Sequence, residues 1–356
     1  MEEKCNKKTV LRIMGAYVAW VMGSGFATGQ EILQFFTSYG YRSFILLIIN
    51  LAGFLVIGPA ILETGYDNKE NDDFNQCRYF CGDKAGKFYE WFVPLSLFAG
   101  MVILISGAGA TLSQYYGLNH YVGALLMAVM AFAAYVAGFQ RFVKVVSFVG
   151  PAIIVFTVAV GIITVIRDFD GIMSVGDYET AMKDIRPVRF WWLAGILYIS
   201  YNLTGGSMYY SALGATAGSR KEAVWGACLG TAALMLAILL MNSAMLTEIG
   251  AVCELGIPTL YLAKKISFIL GAVFSVILIL GIFSSCSAML WTVSEKFVEQ
   301  GTRRSYIFAG SAGIAAFLLG LLPFAELIGI VYPYLGYIGL VSVGCVAYKQ
   351  VRKLLK

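Results

Sequence analysis

The architecture of this chain turns on Val18–Phe35, VAWVMGSGFATGQEILQF. An apolar helix runs into Gly23, Ser24 and Gly25, meets Thr28 and Gly29, and turns apolar again. The span from about Thr9 to Thr37 exceeds the ~20 residues that cross a bilayer. Its three central glycines each cost about 1 kcal/mol in a helix interior. The pattern predicts a break at mid-membrane. In hydrocarbon an unpaired backbone N–H or C=O costs several kcal/mol, so a break persists only against protein, water or a ligand. The break is a candidate binding site.

The 356 residues are 59% hydrophobic and 13% charged, with mean hydropathy +0.76, where soluble domains carry about 25% charged residues. This is the composition of an all-α, polytopic membrane protein. The net charge of +5 is no nucleic-acid signal, because the basic residues lie between apolar runs. The first apolar run is too long for a cleavable signal peptide. Cys77 and Cys81 are placed in a polar loop with no partner for a metal site, and His120 at a loop–helix junction.

Ten spans are predicted, at about 9–37, 41–66, 88–116, 120–138, 142–167, 189–214, 222–247, 266–298, 305–322 and 325–348. An even number leaves both termini on one side. That side collects nineteen of the 26 Lys and Arg residues, among them Lys4, Arg141, Lys144 and Lys356, so both termini are placed in the cytoplasm. Spans one to five (about 9–167) and six to ten (about 189–349) are nearly equal in length. Five is odd, so the second half enters from the opposite side, as an inverted repeat requires. The polar segments Asp168–Arg189 and Glu248–Lys265 are read as outer structure, the latter a short helix pair that is either a linker or a lid.

The sixth span tests the repeat. It reads LYISYNLTGGSMYY over Leu197–Tyr210, with Asn202, Thr204, Gly205, Gly206 and Ser207 interrupting an apolar helix. The eighth adds Ser284, Ser285 and Ser287 within GIFSSCSAMLW, Gly281–Trp291. All three patches fall at one depth. Carboxylates are expected away from it: Glu31 about 12 Å outward along a straight helix, Glu63 and Glu295 near the cytoplasmic ends of their spans, Glu326 near an outer end. Glu63 is read as pairing with backbone or with the cytoplasmic half of the first span. The site is therefore expected to lack a fixed countercharge and to work with helix-end dipoles, freed carbonyls and hydroxyls. Those groups suit a zwitterion together with a cation such as Na⁺. Trp20, Phe26, Tyr198, Tyr201 and Tyr209 are candidate walls.

Gly23-Ser24-Gly25-Phe26-Ala27-Thr28-Gly29-Gln30-Glu31-Ile32 resembles the signature of the YkvI-type bacterial membrane permeases, related to the amino acid–polyamine–organocation superfamily. More distantly, the plan is similar to the LeuT-type fold of five-plus-five inverted repeats with discontinuous first and sixth helices, and Gly58-Pro59 before Glu63 resembles the end of its second span. By position, the resemblance implies a Na⁺ held by carbonyls of Ala19, Met22 and Gly281 and hydroxyls of Ser284 and Ser285. Gln30-Glu31 stands where that fold carries an outer-gate arginine, which makes the pair gating candidates. The third span has Ser106 in a small-residue run where a tyrosine is expected, and the fifth has no central lysine.

The sequence thus implies a single transmembrane domain over residues 1–356, in a bacterial plasma membrane. The implied function is a Na⁺-coupled symporter of a small amino-acid-like solute. An H⁺-coupled permease and a nutrient-sensing receptor subunit are the alternatives. Solute contacts are assigned to Val21, Gly23, Ser24, Gly25, Phe26, Ser106, Tyr198, Tyr201, Asn202, Thr204 and Ser285. No cofactor or nucleic-acid partner is expected. With no HExxH, no GxSxG and no paired deep carboxylates, neither is catalysis.

Overall fold

The computed structural model describes residues 5–71, 73–138 and 149–355. The side chains of Ser24 and Leu354 are outside that description. So are Lys4, Arg141, Lys144 and Lys356 and the start of the predicted fifth span.

The first crossing consists of α1 (Lys7–Val21), α2 (Ser24–Ala27) and α3 (Gln30–Phe35). Four further helices lie in the first half among the described residues: α4 (Arg42–Asp67), α5 (Gln76–Tyr116), α6 (His120–Ala137) and α7 (Val149–Arg167). A 3₁₀ segment, Phe169–Tyr178, and α8 (Glu179–Asp184) lead to the sixth crossing, α9 (Trp191–Gly205) and α10 (Ser207–Ala215). Then come α11 (Arg220–Thr247), the short pair α12 (Ile249–Val252) and α13 (Pro258–Ile266), α14 (Phe268–Phe297), α15 (Arg303–Leu319) and α16 (Phe324–Leu354). Seven of these helices are each long and apolar enough to cross a membrane. The first and sixth crossings are split into shorter pieces, and α15 has 17 residues.

Side-chain caps fix several boundaries. Asn6, Asn75, Asn119, Ser219 and Thr302 each accept a hydrogen bond from a backbone N–H in the first turn of the following helix. One boundary departs from the sequence reading. Helix α5 begins twelve residues before the predicted span, bending at Gly82 (φ +75°). Cys77 and Cys81 are thus helical, and Cys77 is buried. A polar stretch can be helical when its own apolar residues find a face to bury, and Cys77, Tyr89 and Phe92 form such a cluster.

Packing partners exchange under a shift of five crossings. The first packs on the seventh (α1 on α11), and the sixth on the second (α9 and α10 on α4). The second packs on the seventh (α4 on α11) and the third on the eighth (α5 on α14), pairs that map onto themselves.

One end of the bundle is tied by charge. Glu63 accepts from Arg220 at 3.0 Å and Lys353 at 2.9 Å, and Arg220 also pairs with Asp67. Glu63 therefore joins α4 to α11 and α16, not to the first crossing as the sequence suggested. Glu222 receives the N–H of Asn6 at 2.7 Å and of Gly218 at 2.8 Å, which holds the chain's start at this end. At the opposite end Lys265 pairs with Glu248 and Asp168.

Candidate functional site

The first crossing breaks twice. Helix α1 closes with the Met22 N–H donating to the Val18 carbonyl at 2.8 Å. A single turn follows, held by Ala27 N–H to the Gly23 carbonyl at 3.1 Å. The second break is at Thr28–Gly29, where Gly29 has φ +83°, a conformation that costs other residues about 1–2 kcal/mol. The break frees the Thr28 carbonyl, and protein satisfies it: Thr259 N–H, at the start of α13, donates to it at 3.2 Å. The Thr28 hydroxyl donates to the Gly25 carbonyl at 2.6 Å and accepts from Gln30 N–H at 3.2 Å. The start of α13 thus covers the second break.

The second break overturns the expectation for Glu31. A straight helix puts it about 12 Å outward of Gly23 and about 9 Å from Gly25. The turn at Gly29 folds α3 back, so a Cβ added to Gly25 would lie 2.5 Å from Glu31 Oε1. The carboxylate is 4% exposed. Tyr201 donates its hydroxyl to Oε2 at 3.0 Å, and Tyr332 of α16 hydrogen-bonds to the same group. The Tyr201 and Tyr332 rings stack, with centroids 4.6 Å apart. The site therefore has a fixed carboxylate after all, at the depth of the break.

The sixth crossing is interrupted by one residue. Gly206 separates α9 from α10 with φ −86° and ψ −2°, and the hydrogen bonds run through it: Gly206 N–H to Asn202 O at 3.0 Å, Tyr210 N–H to Gly206 O at 2.8 Å. It is a kink, not an unwound stretch.

Between these crossings and α5, α14 and α16 lies a cavity of about 760 Å³. Its deep end holds Gly25, Phe26, Glu31, Tyr201 and Tyr332, among which Phe26 and Glu31 are buried. Its mouth carries Thr292, Glu295 and Lys296 of α14, all exposed, with Glu90 of α5. Trp20 and Tyr209 stack at 4.8 Å along one wall.

Of the assigned solute contacts, the cavity brings together Val21, Gly23, Gly25, Phe26, Tyr201, Asn202 and Ser285. Ser24 opens α2, and its side chain lies outside the described residues. Three residues point elsewhere. The Ser106 hydroxyl donates to the Leu322 carbonyl at 2.8 Å, 3.5 Å from His120 Nε2. Thr204 donates to the Gly339 carbonyl of α16 at 3.2 Å. Tyr198 is packed behind Tyr201, edge-on to Phe36 at 4.9 Å. Of the residues assigned to Na⁺, Ala19, Ser284 and Ser285 line the cavity. Met22 is buried at the end of α1, and Gly281 within α14. Gln30 is buried at the start of α3, beside the sealed second break.

Sequence reasoning missed Tyr332 and the depth of Glu31. The Thr28-Gly29 pair was the available signal for Glu31: a second glycine break one turn after the first makes a straight rise the wrong ruler. Tyr332 precedes Pro333 inside α16, but nothing local aims it at the first crossing.

The fold is that of the LeuT-type transporters. The chain superposes on Mhp1 in its inward-facing conformation with a TM-score of 0.62, at 14% identity, over 96% of this chain and 77% of that one. A mutant of the Eremococcus coleocola manganese transporter superposes with a TM-score of 0.51, at 13% identity, over 93% and 76%. In sequence, the chain is similar over its whole length to YkvI of Bacillus subtilis (strain 168), an uncharacterized membrane protein, with 25% identity over 351 residues covering 97% of each. YyaD of the same organism, also uncharacterized, is 20% identical over 348 residues, 96% of each. No protein-family model matches the chain.

Proposed function

We propose that the protein is a secondary transporter, which moves a small amino-acid-like solute across the plasma membrane by alternating access and couples that movement to Na⁺. One observation carries this reading: the cavity lies between the two interrupted crossings, closed at its deep end and open at the end where the charged ties of Glu63 gather. With the termini cytoplasmic, that is an inward-open state. Rocking of the first and sixth crossings about their interruptions would close the mouth and open the sealed side.

In this reading Na⁺ binds between the ends of α1 and α14, using the carbonyls of Ala19, Met22 and Gly281 and the hydroxyls of Ser284 and Ser285. H⁺ coupling is the second reading, and Glu31 favours it. A carboxylate inside the bilayer with hydroxyl partners is the kind of group that proton relays use.

Counterflow in proteoliposomes tests both. Solute exchange without metabolism supports transport, and binding without exchange supports a sensor. Na⁺ stimulation that disappears when Ser284→Ala and Ser285→Ala are combined supports the Na⁺ assignment, and unchanged stimulation rejects it. Exchange driven by a pH gradient without Na⁺, and lost in Glu31→Gln, selects the proton.

A further inference from the structure

We infer that the deep end of the cavity recognises a protonated amine, so that the solute class is an organic cation whose carboxylate, if present, is dispensable. The inference rests on the transporter reading only in taking this cavity as the solute site. It concerns the Glu31–Tyr201–Tyr332 cluster, where the sequence led us to expect no countercharge.

Charge comes first. Glu31 is 4% exposed at the end of the cavity, and among the described residues no Lys or Arg forms an ion pair with it. Lys296, the one basic side chain among the described residues of the lining, is exposed at the mouth beside Glu295. A buried carboxylate left without an opposite charge is costly, and tyrosine hydroxyls offset only part of that cost. A cation arriving in the cavity completes the set.

The walls come second. Glu31 is bordered by the stacked rings of Tyr201 and Tyr332, and Phe26 and the stacked pair Trp20 and Tyr209 also line the cavity. Aromatic faces attract ammonium groups and accommodate the carbon skeleton attached to them. A bare metal cation asks for a shell of oxygen ligands instead. The volume of about 760 Å³ suits a whole organic molecule.

The groups for a solute carboxylate come third, and they are few. At the start of α10 the Tyr210 N–H is taken by the Gly206 carbonyl at 2.8 Å. The Ser207 hydroxyl already donates to the Thr204 carbonyl at 2.8 Å. In the first crossing, α2 is a single turn.

The test ranks ligands that share a skeleton and differ in charge. Phenylalanine, its decarboxylated amine and its deaminated acid form one trio, and the same three forms of leucine a second. Binding to the full-length protein is measured by calorimetry in detergent or nanodiscs, without added Na⁺. The amine of at least one trio should bind no more weakly than the amino acid and at least about tenfold more tightly than the acid, a difference of about 1.4 kcal/mol. Glu31→Gln should abolish that preference. Tyr201→Phe, which keeps the ring and removes the donor, should reduce it; it gives a second reading if Glu31→Gln does not fold. Tighter binding of the acid, equal binding of all three forms, or no amine binding at millimolar concentration overturns the inference, as does an amine preference that survives Glu31→Gln. Counterflow separates this outcome from the transporter reading. Exchange of an anionic or zwitterionic solute without amine preference defeats the inference and leaves transport standing, whereas an intact amine preference without exchange does the reverse.

Discussion

The first and sixth crossings occupy matching places in the two halves, yet they are interrupted in different ways. The first has two breaks, a left-handed Gly29, and a freed Thr28 carbonyl that takes its hydrogen bond from Thr259. The sixth passes Gly206 in a right-handed conformation, with its N–H on the Asn202 carbonyl and its carbonyl taking the Tyr210 N–H. What separates them is the hand of the backbone at the interruption, not glycine content. A glycine that stays right-handed makes a bend, and one that turns left-handed re-aims every side chain beyond. In this protein the first crossing brings a carboxylate to the cavity, and the sixth supplies a wall.

The comparison breaks most readily at its two glycines. In Gly29→Ala the new methyl would meet Met245 Cε and Thr259 Oγ1 at less than contact distance, in a backbone conformation that alanine disfavours. We expect a loss of ~2 kcal/mol or more, read as a clear fall in Tm and in yield of monodisperse protein. Gly206→Ala adds no backbone strain. Its methyl would lie 2.5 Å from Trp20 Nε1 and 2.8 Å from a ring carbon of the buried Tyr210, a crowding that Trp20, on the cavity wall, can relieve in part. Its loss of Tm should be smaller. Equal losses would erase the distinction between a break and a kink.

Gly25→Ala sharpens the role of the first crossing. The new methyl would stand 2.5 Å from Glu31 Oε1 and 3.4 Å from the Tyr332 hydroxyl. Both atoms end flexible side chains, so the fold should hold, with a change within about 1 kcal/mol, while the carboxylate is displaced. Solute affinity should fall by about tenfold, read by calorimetry beside a melting curve. Unchanged affinity would show that the carboxylate can move away from Gly25 without consequence for the solute.

Much of this was legible in the sequence. Apolar run lengths located the crossings, and the glycine clusters located both interruptions, because bilayer thickness and the cost of unpaired peptides leave few alternatives. Val21, Gly23, Gly25, Asn202 and Ser285 line the cavity as their depths suggested. Depth along an axis carries no azimuth, however, and it fails once the axis bends. Glu31 was misplaced for the second reason, by a left-handed glycine whose sign of φ no residue name reveals. Ser106 was misplaced for the first. It has the right height, but it faces the turn before α16, where the Leu322 carbonyl takes its hydroxyl.

Thr204 shows the azimuth error most simply and gives the smallest predicted effect. Residues two apart on a helix do not share a face. Asn202 lines the cavity, so Thr204 turns away from it, toward α16. There its hydroxyl donates to the Gly339 carbonyl at 3.2 Å, and a Cβ on Gly339 would come within 2.8 Å of both Thr204 Oγ1 and Ser200 Oγ. The close approach is the small-residue packing by which membrane helices associate. Thr204→Val keeps the shape and removes one hydrogen bond, a change of about 1 kcal/mol. Tm should fall slightly and solute affinity should stay at the wild-type value, whereas Asn202→Ala should lower affinity. Were Thr204→Val to weaken binding as much as Asn202→Ala does, the sixth crossing would be presenting both faces to the solute, and the division into a cavity face and a packed face would have to be abandoned.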